Sequence, residues 1–344
     1  RSLKMSMLRK SVMAMGLLGV ALSLSACGSP VASTGKNSDT LNVVFLPSDS
    51  AKEEDAARKA LTQEIHKATG KKVNVETTTD YNVAIQAIAT GKAQIGLMGP
   101  DGYVQAHKQS KTVVPMVTYS GKSGTLKDAY YHSYIMVPKD QATKYKVNGK
   151  YSLKNIKGKR MSFVSNTSTS GFAIPAGAIK KAFNLKSTDD LSSGGKFFSK
   201  VLYGQSHQGS AVNLLKGDAD VAAFDDMDLT QYGKFQNDAT KAGAIFKINK
   251  DAPAPFTAVR GKESIAIAAY AVQNEPLVAN TKTISKSDIE KIQKQLTSSS
   301  VTNNKLFFAP ANAKVRGLFT KDGKTQFIKI TDAWYKLTHD ILGE

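Results

Sequence analysis

A single cysteine, Cys27, stands in 344 residues, so no disulfide can close within the chain and cysteine usage does not reveal the redox compartment. Histidine is nearly as scarce. His66, His107, His132, His207 and His339 show no metal-ligand spacing, and beside one cysteine they argue against a zinc site. Aromatic residues make up 8% of the chain and no basic run is interleaved with them, which argues against nucleic acid despite 47 Lys and Arg against 28 Asp and Glu. Beyond the first residues there is no second hydrophobic span, no repeat and, after the opening tether, no low-complexity segment. Two catalytic signatures are incomplete. Gly121-Lys122-Ser123 has Met116 where a P-loop requires glycine. Gly204-Gln205-Ser206-His207-Gln208-Gly209 carries its second glycine one place late for a nucleophile elbow. Ser193-Gly194-Gly195-Lys196 fits a Ser-x-x-Lys pattern short enough to recur by chance.

The chain does begin with a targeting segment. Arg1, Lys4, Arg9 and Lys10 form a basic stretch, and the apolar run from Ser11 to Leu24 is short of the roughly 20 residues a membrane span needs. Leu24-Ser25-Ala26-Cys27 then matches the bacterial lipobox, in which small residues admit the peptidase and the thiol takes the diacylglycerol. The expectation is a signal peptide over residues 1–26 and a lipidated Cys27 at the head of a disordered Gly/Ser/Pro/Thr tether over 27–39. Two or three acyl chains on that cysteine hold the protein to the outer face of the cytoplasmic membrane. Removing the basic stretch takes the formal charge from +19 to about +15, a balance that suits anionic ligands or an anionic envelope.

The stretch around which the mature chain is organised is Ser165-Asn166-Thr167-Ser168-Thr169-Ser170-Gly171. A strand-like run leads in over Lys159 to Val164 and a helix-like run leads out over Phe172 to Phe183. Strand, hydroxyl-rich turn, helix start is an order that builds an anion site. The first N–H groups of a helix have no intrahelical partner, its dipole is positive there, and Ser and Thr add rotatable donors. Gly171 lets backbone and ligand approach closely. Upstream the pattern alternates: strands over Leu41–Leu46, Lys72–Glu76, Gln94–Met98, Val113–Tyr119 and Tyr131–Val137, helices over Ala51–Thr69 and Tyr81–Ala89, and a third capped by Asp101. Downstream come strands near Lys200–Leu202, Val221–Phe224, Ala244–Ile248 and Ser264–Val272, and helices near Ser210–Leu215, Asp288–Leu296 and Asp332–Ile341. This order predicts an α/β chain with largely parallel sheets. Asp225, Asp226 and Asp228 follow a strand closely, where they can hold a cation, accept hydrogen bonds from a protonated ligand, or cap a solvated turn.

Six stretches in this order resemble the substrate-binding proteins of ABC importers for phosphonate, phosphite and related phosphorus oxyanions. They are Asp80-Tyr81-Asn82-Val83-Ala84, Gly99-Pro100-Asp101-Gly102-Tyr103-Val104-Gln105-Ala106, Tyr131-His132-Ser133-Tyr134-Ile135, the turn from Asn166 to Gly171, Ser206-His207-Gln208, and Asn274-Glu275-Pro276-Leu277-Val278. The resemblance implies a two-lobed type II periplasmic-binding-protein fold, with lobe one at 40–132 plus 276–344, lobe two at 133–275, and a hinge of two crossover segments. It implies ligand contacts at Tyr81, Tyr131, Ser168, Thr169, Ser170, His207 and Glu275, with a further acid at Asp225 or Asp226. Met227 stands where some relatives have Glu, which argues against an amine-bearing ligand. A non-enzymatic monomer without cofactor or metal is expected, whose partners are an ABC permease with its ATPase. The rival reading is an extracellular serine hydrolase using Ser170 or Ser206 with His207, for which no acidic orienter stands at a recognisable spacing. A third, an envelope adhesion protein, rests on the positive charge alone.

Overall fold

The computed structural model describes residues 35–36, 38–50, 52–311 and 313–343. The expected signal peptide and Cys27 lie outside the described residues. In chain order the strands of the two large sheets are β1 (Thr40–Phe45), β2 (Lys72–Thr77), β3 (Ile95–Leu97), β4 (Val113–Tyr119), β5 (Tyr130–Pro138), β6 (Arg160–Phe163), β7 (Lys200–Tyr203), β8 (Val221–Asp225), β9 (Gly233–Phe235), β10 (Ile245–Ile248), β11 (Glu263–Gln273), β12 (Pro276–Asn280) and β13 (Phe327–Lys329). The first sheet runs β13-β4-β12-β3-β1-β2 and the second β9-β10-β11-β5-β8-β6-β7. Helices cover the sheets, chief among them α1 (Asp55–Thr69), α2 (Tyr81–Thr90), α3 (Pro100–Gln109), α4 (Ile174–Phe183), α5 (His207–Lys216) and α6 (Lys286–Leu296).

The hydrophobic runs explain this layering. Val43, Val44 and Phe45 of β1 are all buried because apolar side chains cover both sheet faces. Val43 and Phe45 pack with Leu61 and Ile65 of α1 and Ile292 of α6, while Val44 packs with Ile85 and Ile88 of α2 and Tyr103 of α3. The second sheet is covered likewise, with Phe163, Val221 and Ala223 on one side and Ala222, Phe224 and Phe246 on the other.

The sheets are mixed, not largely parallel. Within the two large sheets only β1–β2, β1–β3, β6–β8 and β6–β7 are parallel pairs. The reason lies in the crossovers. The chain leaves the first sheet after β4 and returns after β11, so β5 and β11 lie side by side and antiparallel from Tyr130↔Gln273 onward. The returning β12 inserts antiparallel between β3 and β4. Asn274 fastens the two crossings together. Its N–H donates to the Ala129 carbonyl at 3.1 Å, its Nδ2 donates to the Tyr119 carbonyl at 2.8 Å, and its own carbonyl accepts from Tyr335 Oη at 2.6 Å.

Three local expectations change. Asp101 does not cap α3; Gly99 is the cap position, Pro100 opens the helix, and Asp101 lies inside it. The helix expected over Ser210–Leu215 begins earlier, at His207, with Ser206 as its cap accepting from the Gly209 N–H at 3.0 Å. The end of the tether is ordered, since the Ser38 carbonyl accepts from Lys71 Nζ at 2.6 Å and the Asp39 carbonyl from the Lys72 N–H at 2.8 Å.

Candidate functional site

The Ser165–Gly171 turn follows β6 as the sequence predicts, and it opens into a π-helical turn, Thr169–Ala173, before α4. Such wide turns recur at functional sites. Ser168 caps it: the Gly171 N–H donates to Ser168 Oγ at 3.1 Å. Thr169 Oγ1 accepts from the Asp101 N–H at 2.7 Å, a bond from the first half of the molecule to the second. A hydroxyl that accepts from a backbone N–H keeps its own hydrogen to give away. Ser168 and Thr169 therefore each offer an O–H, beside the Thr169 and Ser170 N–H groups that the first turn leaves without intrahelical acceptors. Gly171 is required, but not for a ligand: a Cβ there would lie 2.3 Å from Val164 Cβ, so the glycine lets the turn close on its own strand. Gly99 makes the comparable approach across the halves, where a Cβ would stand 3.0 Å from Thr169 Oγ1 and 3.7 Å from Glu275 Oε1.

A second helix start meets the first. Ser170 Oγ lies 3.2 Å from Tyr131 Oη, 3.4 Å from His207 Nε2 and 3.3 Å from Asp225 Oδ2. The His207 N–H, at the head of α5, donates to Ser48 Oγ at 3.3 Å, and Ser48 Oγ lies 2.9 Å from Tyr81 Oη. Asp80 caps α2 and so sets Tyr81 at this point. Of the nine residues matched by sequence, eight are thus gathered into one buried set, Tyr81, Tyr131, Ser168, Thr169, Ser170, His207, Asp225 and Glu275. The ninth, Asp226, turns away. Its carboxylate accepts from the His132 N–H at 3.0 Å, faces His132 Nδ1 at 3.0 Å and accepts from Tyr134 Oη at 3.3 Å. Asp225 ends β8 and successive side chains along a strand point to opposite faces, so the two acids part.

The geometry fixes the tautomer of His207. Its Nδ1 accepts from the Asp225 N–H at 3.0 Å, so in the neutral ring the hydrogen sits on Nε2. Burial favours that neutral ring and pulls the His207 pKa down to about 4, against the attraction of Asp228 and Asp226. Nε2 is then a donor aimed at Ser170 Oγ and Asp225 Oδ2. His207, Asp225 and Asp228 present donor atoms within 4.8 Å of one another, a spacing that would suit a metal ion. With Nε2 carrying a hydrogen the trio is a hydrogen-bonded set, not a ligand set.

Two acids that the sequence reading did not match complete the set. Asp49, just past β1, and Asp228 are buried beside Asp225 and Glu275. Asp49 Oδ2 and Glu275 Oε2 are enclosed without hydrogen-bond partners. Burial raises the proton affinity of all four and neighbouring carboxylates add to it, Asp226 helping to take Asp225 to about 8, Asp225 helping to take Asp228 to about 7, and Asp228 with other acids helping to hold Asp49 and Glu275 well above the ordinary carboxyl range. Asp49 carried one legible signal, its place beyond the carboxyl end of a sheet strand, where α/β sheets bind ligands. Asp228 was visible only as one acid of three.

Comparisons with known proteins bear on the family and the fold. The family model for the periplasmic substrate-binding protein of the phosphonate ABC transporter matches residues 43–335. A phosphate-import protein PhnD of Mycolicibacterium smegmatis is 27% identical over 213 residues, which is 60% of this chain and 63% of that protein, so the match spans less than two thirds of the relative's length. A crystal structure of a binding-protein component of an ABC phosphonate transporter from Pseudomonas aeruginosa superposes with a TM-score of 0.62 at 16% identity, over 88% of this chain and 85% of that one. PhnD1 from Prochlorococcus marinus, solved with methylphosphonate, gives 0.59 at 17% identity over 88% and 97%. At such identities the likeness speaks for the periplasmic-binding-protein fold, and among the described residues no helix is long and apolar enough to cross a membrane. The chain belongs to the family of periplasmic substrate-binding proteins of phosphonate ABC transporters.

Proposed function

We propose that this protein is a lipid-anchored extracytoplasmic receptor that closes around a phosphonate, phosphite or related phosphorus oxyanion and delivers it to an ABC permease. The observation that carries this reading is the meeting of two helix starts, at Thr169 and His207, over hydroxyls whose lone pairs are already taken by backbone N–H groups. In this reading Ser168, Thr169, Ser170, His207, Tyr81 and Tyr131 hold the phosphorus oxygens. Asp225, Glu275, Asp49 and Asp228 respond to the protons that a phosphorus oxyanion carries and sulfate lacks. The halves, residues 40–132 with 276–344 and residues 133–275, turn about the crossings near Ala129 and Asn274. The closed form is favoured by contacts the ligand adds between them. Charge-assisted hydrogen bonds contribute roughly 1.5–3 kcal/mol each, so four to six supply the ~8 kcal/mol of micromolar binding after association costs.

The hydrolase reading fails on the His207 tautomer. A general base must accept the serine proton, and Nε2 already holds a hydrogen while Nδ1 is occupied by the Asp225 N–H. The test is a thermal-shift panel of phosphite, methylphosphonate, larger phosphonates, phosphate and sulfate, followed by calorimetry and a search for turnover. Stoichiometric binding of a phosphorus oxyanion, unchanged after incubation, is expected. Hydrolysis of the ligand, or stabilisation by sulfate alone, overturns the proposal.

A further inference from the structure

A second cavity, of about 500 Å³, lies between the two halves. Met227, Thr230 and Gln231 line it from the second half, and Ala56 with the stretch around Lys314 and Arg316 from the first. Arg316 Nη1 and Gln231 Nε2 are nitrogen donors shut away from solvent without partners. The guanidinium cannot swing out to water freely, because its Nη2 is held 2.6 Å from Oε1 of the buried Glu54. Lys314 adds a second positive charge, and neither Asp nor Glu lines the space. An enclosed donor without an acceptor costs about 1–3 kcal/mol, so one in each wall marks a place where acceptors are missing.

We propose that this cavity is a second anion site, for a small carboxylate, distinct from the set at Ser168–Ser170. Glu54 balances the charge of Arg316, but Lys314 and the absence of an acid in the lining disfavour a cation, and two unpaired donors match the two oxygens of a carboxylate, where a phosphoryl group would leave a third oxygen unserved. Because its walls come from both halves, a carboxylate bound there favours the closed arrangement and tightens binding at the other site, with equal and reciprocal coupling.

The experiment is calorimetry on the whole mature protein with malonate as the probe, alone and with saturating methylphosphonate. Malonate binds, and in Gln231→Leu, which removes one donor, it binds about tenfold more weakly, the loss of roughly one hydrogen bond. Saturating malonate tightens methylphosphonate about fivefold, at the low end of known coupling. Arg316→Gln is a second variant, checked for folding by its melting curve; it too weakens malonate. Malonate that competes with methylphosphonate, or that binds equally well to wild type and Gln231→Leu, overturns the second site. Absence of methylphosphonate binding counts against the proposed ligand instead, and the malonate titrations still decide the cavity.

Discussion

Raising the pH should loosen the grip on the ligand, and the four enclosed acids set the size of the effect. In the structure Asp225 and Asp228 titrate near 8 and 7, chiefly because burial disfavours the charged forms, and an opening of the cleft that hydrates them returns them toward the ordinary 3.8. A carboxyl raised in the closed state favours closure below its ordinary pKa, and that support is lost progressively as pH climbs from about 4 to about 8. His207 works the other way: ordinarily near 6.5 and pulled down to about 4 by burial, it gives up most of a proton on closure at pH 6 and almost none at pH 8. The two acids take up roughly two protons at pH 6 and about half of one at pH 8, so that net of His207 closure takes up roughly one proton at pH 6 and about half of one at pH 8. One proton taken up is tenfold in affinity per pH unit, about 1.4 kcal/mol, so the change from pH 6 to 8 is on the order of a hundredfold. Asp49 and Glu275 shift the same way and steepen the fall. Calorimetry with methylphosphonate in two buffers of different ionisation enthalpy counts the protons directly, and Asp225→Asn should lower the count by about one at pH 6. A dissociation constant flat from pH 6 to 8 with no proton uptake would refute the reasoning, since the acids would then be hydrated or ionised in the closed form.

Further tests bear on other residues. Glu275→Gln keeps size and replaces a titratable group with a permanent donor, so at a pH high enough to ionise Glu275 discrimination against sulfate should shrink while affinity for the best phosphorus ligand falls several-fold, about 1 kcal/mol; calorimetry with both anions at that pH decides it, and undiminished rejection of sulfate removes Glu275 from that role. Small-angle scattering should give a smaller radius of gyration with saturating phosphonate than without, and equal radii argue against closure. Cys27→Ala should leave the protein unprocessed or free of the membrane fraction, while unchanged mass and unchanged partition defeat the anchor.

What the sequence made legible was local. The order strand, hydroxyl turn, helix marked the turn from Ser165 to Gly171, because capping and helix-start chemistry act over a few residues, and only the family resemblance narrowed it to Ser168–Ser170. Apolar runs such as Val43-Val44-Phe45 marked buried strands, for burial on both faces leaves no alternation to misread. Strand direction was not legible. Periodicity is the same for both senses, and it is the placing of β12 between β3 and β4, and of β13 at the edge beside β4, that makes the first sheet mixed. Pro276–Asn280 was recognised as a motif and missed as a strand, since it is short and starts with proline. Nor was the choice between Asp225 and Asp226, which turns on where β8 ends. Asp49 joins the site across 176 positions from Asp225, and spacing along the chain has no means of announcing such a meeting.

The path of the chain through the two sheets has a consequence in time. The second sheet is complete once the run from Tyr130 to Gln273 exists, whereas the first needs β12 and β13 to fill its middle and its edge. Until residues 276–329 arrive, β3 and β4 lack the strand that joins them. Closing such distant pairings is slow, because loop entropy is lost before the contacts form. In a periplasmic family, that order gives an exporting chain a long interval with its first half unassembled, so the topology that frames the cleft also delays folding until most of the chain has crossed.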